Sequence, residues 1–377
     1  MLNYKYIVVG AGIYGSVIAN RIASVLNEDV LLIEKRDHIG GNCYSRIDEE
    51  TGIEYHCYGS HIFHTSDESV WKFISQFADF TNYRHKVLAI SGGKAYFMPI
   101  NLKTLSDVYQ RAITPAEASD LLAGERKDAG SAGNLEEKAI ALVGKTLYEK
   151  FIRGYTAKQW EKSPRDLPPD IISRLPVRTT YSIDYFDDLY QGVPRDGYFR
   201  MFEKLLSNPR IHVMLDTGFQ SVRGSISPET KIVYTGKIDE YFDYVYGNLE
   251  WRSLQFEYEI HQVRDYQGTT VVNYTDADIP YTRIHEFKHF HPERRTVFES
   301  NRTLICKEYP KTWNKDREAY YPVNTKANQE LLERYRMLAR QSPNTIFGGR
   351  LGCYRYWDMD KAILAALNCF ETQIREH

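Results

Sequence analysis

The chain begins with an unbroken apolar run, Tyr6-Ile-Val-Val9, that passes directly into Gly10-Ala-Gly12-Ile13-Tyr14-Gly15; a second run, Val30-Leu-Leu-Ile33, ends in Glu34. Runs of four apolar residues without alternation read as strands buried on both faces of a parallel sheet, and the residues from Ser16 to Leu26 between them read as a helix. Ile232-Val-Tyr-Thr-Gly236 and Thr345-Ile-Phe-Gly348-Gly349 repeat the pattern, so the chain is expected to return twice to this first sheet. After Gly349 an aromatic stretch, Arg350 to Trp357, leads to Asp358-Met359, which open a helix reaching about Glu371. Elsewhere the period changes. Leu102 to Leu122 and Leu135 to Trp160 carry apolar residues at helical spacing, with Asn134 and Glu137 at capping-box positions. Three prolines in Ser163-Pro-Arg-Asp-Leu-Pro-Pro169 stop that helical region and leave a mobile loop. Gln255 to Val263, Thr269 to Tyr274 and Thr303 to Glu308 alternate or are β-branched and read as antiparallel strands.

The glycines carry the first chemistry. Gly10 permits a tight turn, Gly12 lets backbone approach a pyrophosphate, and Gly15 lets the helix lie close to the strand, its N-terminal N–H groups facing the phosphates. Glu34 stands where a carboxylate accepts from both ribose hydroxyls and repels a 2′-phosphate, which disfavours NADP. A second glycine pair in Glu34-Lys35-Arg36-Asp-His-Ile-Gly40-Gly41-Asn42 resembles the FAD-binding proteins of the glutathione-reductase and amine-oxidase type, and selects FAD over NAD. The expected fold class is α/β. A discontinuous Rossmann-like FAD domain (1–75, 203–247 and 340–377) is joined by a helical bundle with its mobile loop (100–176) and an antiparallel sheet domain (76–99, 177–202 and 248–339).

Composition narrows the partners. With 48 Lys plus Arg against 50 Asp plus Glu, the formal charge of −2 provides no general field for nucleic acid or an anionic membrane. No apolar run approaches the ~20 residues that span a bilayer. The five cysteines are odd in number and lack CxxC spacing, and the N-terminal residues lack a leader pattern, so a cytoplasmic protein without disulfides or a zinc site is expected. Tyrosine is the outlier at 29 residues, many beside Arg or Gly, which assigns some hydroxyls to a ligand.

Seven further motifs are specific: Tyr58-Gly-Ser-His-Ile-Phe-His-Thr65, Gly154-Tyr-Thr-Ala-Lys-Gln-Trp160, Arg174-Leu-Pro-Val-Arg178, Tyr190-Gln-Gly-Val-Pro194, Pro280-Tyr-Thr-Arg283, Tyr320-Tyr-Pro-Val323 and Gly348-Gly-Arg-Leu351. In this order they resemble the bacterial UDP-galactopyranose mutases from residue 6 to the final helix. The resemblance implies a flavoenzyme, active as reduced FADH−, that interconverts pyranose and furanose forms of a nucleotide sugar without net redox. It implies Arg174 and Arg283 on the diphosphate, with Tyr190, Tyr321 and Tyr356, Phe151 and Tyr155 around the uracil, and Trp160 closing over the substrate. Thr156, Arg252 and Asn273 join the substrate set. Arg350, Asp358, Met359, Tyr356, His61 and His64 are expected at the flavin, with Gly10, Gly12, Ile13, Tyr14, Gly15, Glu34, Lys35, Arg36, Gly41 and Asn42 around the rest of the cofactor. Arg174, Arg283 and His61 form the catalytic set; no metal is expected. A homodimer and an external reductant such as NAD(P)H complete the picture.

Ring contraction requires C1 to be held covalently while the ring opens and recloses through the 4-hydroxyl. No Ser/His/Asp set or carboxylate pair stands in motif positions as that nucleophile, whereas N5 of a reduced flavin serves, and two guanidiniums stabilise the departing diphosphate. By spacing alone Trp160 and Phe151 are core residues, and Tyr155 shares a helix face with Phe151. Two departures from the family pattern bear on the sugar: Arg84-His85 replaces a usual Thr-Asn pair, and Arg-Asp-Gly-Tyr-Phe follows Pro194 in place of the common Gly-Gly-Tyr-Thr. Galactose is the default, with UDP-N-acetylgalactosamine or a dTDP-6-deoxy sugar as alternatives. Two other classes stay open: a flavin amine or alcohol oxidoreductase, and a non-catalytic sensor.

Overall fold

The computed structural model describes residues 2–126, 132–172 and 176–375. Its first sheet has five parallel strands in the order Thr345–Phe347, Lys231–Tyr234, Tyr6–Val9, Val30–Ile33, Ile211–Met214. The central pair, Tyr6–Val9 and Val30–Ile33, is buried along its whole length because both faces are covered. On one face Val8 and Leu32 meet Val17, Ile18, Ile363 and Phe370 from the helices Ile13–Arg21 and Met359–Cys369 and the turn after the latter. On the other, Ile7, Leu31 and Ile33 pack with Phe219, Tyr234 and Tyr241.

The second sheet has seven strands in the order Tyr321–Pro322, Trp251–His261, Thr303–Thr312, Arg283–Glu286, Val271–Tyr274, Val87–Ser91, Lys94–Met98. Its pairings are antiparallel except that Val271–Tyr274 runs parallel to Val87–Ser91. Alternation marks a strand but not its partner, so this one parallel pairing was invisible in the sequence.

The helical region buries Leu105, Leu122, Leu135, Ala139, Val143, Leu147 and Tyr148 in a core of its own. It differs from the sequence reading at its joints. The stretch expected to be helical from Leu102 to Leu122 is two helices, Leu102–Tyr109 and Pro115–Glu125, because Gln110 takes a left-handed φ of 55° and Thr114 starts again with a full capping box to Glu117. Asn134 accepts from Glu137 N as expected, but the Glu137 carboxylate reaches Gly133 N at 2.8 Å, one residue short of a reciprocal box. A π turn, Tyr148–Ile152, precedes the helix Arg153–Trp160. Gly154 then seats that helix on the second sheet: a Cβ there would lie 2.3 Å from the carbonyl oxygen of Thr275. Tyr155 and Arg283 thereby come from different layers to the same place.

Six histidines, His38, His56, His61, His85, His285 and His291, are held below their ordinary pKa, chiefly because burial disfavours the cation; His61 is brought to about 4 and His85 to about 3. Protons therefore bind the unfolded chain first. Stability is full above pH ~6.5 and falls as the pH drops toward 4, by about 1.4 kcal/mol per pH unit for each histidine charged only when unfolded. His289 opposes this: burial disfavours its cation too, but Glu286 and Asp265 outweigh that and raise it. Thermal denaturation between pH 7 and 4 is expected to show a steep fall in Tm; a flat profile would contradict the buried, neutral histidines. A Cβ on Gly15 would lie 2.0 Å from the Gly10 carbonyl oxygen, so Gly15→Ala is expected to lose roughly 1–3 kcal/mol or more in urea unfolding.

Candidate active site

The strand-to-helix turn supplies a phosphate cradle. Gly10 has φ 100°, and a Cβ there would fall 2.1 Å from Thr235 Oγ1, itself fixed by donating to the Val9 carbonyl at 2.7 Å. Gly12 caps the helix Ile13–Arg21 without any side-chain acceptor, which leaves the first-turn N–H groups of Ile13, Tyr14 and Gly15 for a ligand. Gly41, with φ 55°, faces Gly12 so closely that a Cβ on it would lie 2.8 Å from Gly12 Cα. Glu34 is buried at the end of the second strand and accepts from Ala11 N at 2.8 Å and Arg36 N at 3.0 Å, which aims the carboxylate across the turn. Arg36 donates to Asn42 Oδ1 at 2.9 Å, pairs with Glu318 at 3.1 Å and lies 4.2 Å above the Tyr58 ring, yet its buried Nη1 has no partner. Lys35 reaches Glu318 from the surface, and Tyr14 packs against Gly348, where a Cβ would meet its ring at 2.3 Å. A side-chain-free slot, an uncapped helix start, an acid and an orphaned guanidinium nitrogen together fit a dinucleotide.

The second sheet supplies the chemistry facing it. Arg283 and Glu308 are direct cross-strand partners, 3.4 Å apart as an ion pair without hydrogen-bond geometry, so Arg283 Nε and Glu308 Oε1 keep unspent polarity. Tyr155 bonds through its hydroxyl to Arg283 Nη2. Glu308 Oε2 accepts from His285 Nε2 at 3.1 Å, and His285 Nδ1 meets Ser60 Oγ at 2.6 Å. Burial pushes the Glu308 carboxyl up, but Arg283 and His285 outweigh it and hold it below its usual range, ionised at neutral pH. Tyr321, whose phenol burial pushes up to about 12, feels both Glu308 and Arg283, and its ring lies 5.8 Å from that of Tyr356. Arg350 lies 4.7 Å over the Tyr356 ring and donates to the Tyr320 and Trp357 carbonyls at 3.3 and 2.6 Å. Tyr356 in turn donates to Asp358 Oδ1 at 3.0 Å, at the start of the helix Met359–Cys369, where Met359 packs on the first core.

The other residues singled out by the sequence have partners of their own or lie farther away. His61 donates its backbone N–H to His56 Nδ1 at 2.9 Å, and its Nδ1 lies 2.7 Å from the Gly59 carbonyl, which leaves Nε2 of the neutral ring as an acceptor. His64 is clamped between Asp188, at 2.7 Å, and the Phe186 ring. The metal-ligand trio found among the described residues, Asp265, Glu286 and His289, includes neither. Arg252 donates to the Gln159 carbonyl, Glu161 and Thr312, which ties the end of the helix Arg153–Trp160 to the sheet, while its buried Nη2 has no partner. With Trp160 and Trp313 it lines a cavity of about 480 Å³ that none of Arg283, Tyr155, Tyr321 and Arg350 lines. Phe151 is buried in the helical core edge-on to Tyr96, Thr156 is buried, and Tyr190 stacks on Trp71 at 4.9 Å. Asn273, opposite Arg283 in register, has a buried Oδ1 with no partner. Arg174 lies outside the described residues.

Glu308, His285 and the contact of Ser60 with them were missed, since only Ser60 of the three lies in one of the seven motifs. Their separations, 225 and 23 residues, hide the set in the sequence. One signal was available: Glu308 is a charge in line with the uncharged, buried Leu304, Cys306 and Pro310 on one face of its strand.

A family model described as UDP-galactopyranose mutase matches residues 150–356, more than half of the 377-residue chain, and a second, an NAD(P)-binding Rossmann-like domain, matches residues 8–77. A dTDP-fucopyranose mutase of Escherichia coli is 38% identical over 99% of both chains. A probable UDP-galactopyranose mutase of Klebsiella pneumoniae is 40% identical over 97% of this chain and 94% of its own, and one from Mycoplasma pneumoniae is 32% identical over the same shares. Among solved structures, reduced UDP-galactopyranose mutase superposes with a TM-score of 0.74 at 14% identity, over 100% of this chain and 95% of that one, a likeness of fold. The family match over the sheet and helical region and full-length identities above 30% place the chain in the UDP-galactopyranose mutase family of sugar-ring isomerases.

Proposed function

We propose that the protein is a flavin-dependent mutase interconverting UDP-galactopyranose and UDP-galactofuranose, with FAD in the Gly10–Gly15 turn and the sugar diphosphate on Arg283. The observation that carries this reading is the Arg283 group, a cation tied to Tyr155 and Glu308 in a chain that also carries a dinucleotide cradle. Bound in that turn and reduced, a flavin would supply an electron-rich nucleophile for C1 of the sugar. The chain's own residues do the rest. Arg283 accepts the charge that develops on the leaving diphosphate, and its planar fork stays oriented because Tyr155 and Glu308 hold two of its nitrogens. Arg174 is the second diphosphate cation in this reading. Tyr321 and Tyr356, whose rings lie 5.8 Å apart, offer neutral phenols to the same diphosphate. Arg350 and the helix start at Met359 fix the loop that faces the flavin. An external reductant such as NAD(P)H and a cytoplasmic homodimer belong to the same proposal.

The E. coli relative's match along the whole chain supports a second substrate reading, the same chemistry on a dTDP-6-deoxy sugar. One experiment separates them: dithionite-reduced protein is incubated with UDP-galactofuranose, UDP-N-acetylgalactosamine and dTDP-fucose, and ring forms are resolved by chromatography. Conversion only after reduction, without net consumption of reductant, is expected. No conversion of any of the three, together with flavin bleaching or oxygen uptake on an amine or alcohol, would replace the mutase by an oxidoreductase. Arg283→Lys keeps the charge opposite Glu308 but loses the fork, and is expected to lower kcat about 10²- to 10³-fold with Tm little changed. Tyr155→Phe removes one hydrogen bond to Arg283 and is expected to lower kcat/KM roughly tenfold in the same chromatographic assay.

A further inference from the structure

Ser60, His285 and Glu308 form a hydrogen-bonded line on the side of the sheet that carries Arg283, since residues 283 and 285 of one strand point to the same face. The proton positions along this line follow from elementary chemistry. Glu308 is ionised and can only accept, so His285 must carry its proton on Nε2. Burial keeps His285 neutral, so its Nδ1 has no proton, and at 2.6 Å the hydrogen in the Ser60 contact must come from the serine hydroxyl. Of the groups around the His285 ring, Glu308 favours a second proton, but burial together with Arg283 outweighs it, and the Phe287 ring stacks on the imidazole. Ser60 Oγ is therefore left with lone pairs only. The residue is half-buried on the Gly59 turn, and Gly59, with φ 88°, brings that turn to within contact of Glu308.

A nucleophilic serine is the other use of such a line, but the adjacent His61 N–H is already given to His56 Nδ1, so it cannot stabilise an oxyanion beside Ser60. We propose that Ser60 is a specificity-determining residue for the sugar, a hydrogen-bond acceptor fixed by His285 and Glu308 that selects a hexose carrying a hydroxyl donor opposite it. His285 and Glu308 are positioning residues in this scheme. The proposal rests on the mutase reading and adds the residue that reads the sugar.

The test uses reduced full-length protein with UDP- and dTDP-linked galactose and their 2-, 3- and 6-deoxy analogues, comparing kcat/KM within each set. Wild type is expected to discriminate against one of the three deoxy analogues by roughly 10- to 100-fold. Ser60→Ala is expected to lose that discrimination by slowing the parent sugar while leaving the deoxy analogue unchanged, and Ser60→Thr to restore it. His285→Gln, which keeps the serine but removes its aromatic acceptor, is expected to weaken the same discrimination and no other, a second readout if the alanine variant fails to fold. Unchanged ratios in Ser60→Ala or His285→Gln, or equal loss with every sugar, would overturn the assignment while wild-type turnover leaves the mutase reading standing. If wild type converts none of the sugars, the mutase reading itself falls, and Ser60 with it.

Discussion

A carboxylate with almost no solvent access organises the site. Glu308 lies in the middle of the strand Thr303–Thr312 with a side chain 3% exposed, and an isolated charge there would cost several kcal/mol of desolvation. It is tolerated because Arg283 stands directly across the ladder and His285 lies diagonally on the same face. The pairing acts in both directions. Glu308 holds the guanidinium still, which a long side chain facing a cleft would not otherwise be, and it fixes which nitrogen of His285 bears hydrogen. Tyr155 completes the clamp from a helix that could not approach if residue 154 carried a side chain.

Close backbone approach recurs wherever two layers meet. Gly12 and Gly41 face each other at the start of the helix Ile13–Arg21, Gly154 lies on the Thr275 carbonyl, and Gly59 lies over Glu308. At each point the absent Cβ is what lets a ligand group or a charged side chain be reached by elements distant in sequence. The parallel sheet contributes the uncapped helix start, the mixed sheet contributes Arg283, Glu308 and His285, and the helical layer contributes Tyr155.

Much of this was legible in the sequence, for identifiable reasons. The parallel strands announced themselves because burial on both faces demands unbroken apolar runs, and the glycine turn because only glycine fits at Gly10 and Gly15. Arg283 and Tyr155 were found through short motifs, which preserve local spacing. Pairing across the sheet has no local signature, so Glu308 and the Ser60–His285 contact were missed, and Val271–Tyr274 was read without its parallel neighbour. Helical spacing likewise could not separate roles: Phe151 and Tyr155 are four apart, yet one is buried against Tyr96 and the other reaches Arg283.

The coupling between Arg283 and Glu308 is the direct measure of this account. A double-mutant cycle with Arg283→Lys, Glu308→Gln and both together, read as kcat/KM of the reduced protein, compares the pair's joint loss with the separate ones. If Glu308 acts by holding Arg283, the double variant should lose scarcely more than the worse single variant, a coupling of about 1–3 kcal/mol. Strictly additive losses would show that the two residues act independently and that the buried carboxylate is not what orders the site.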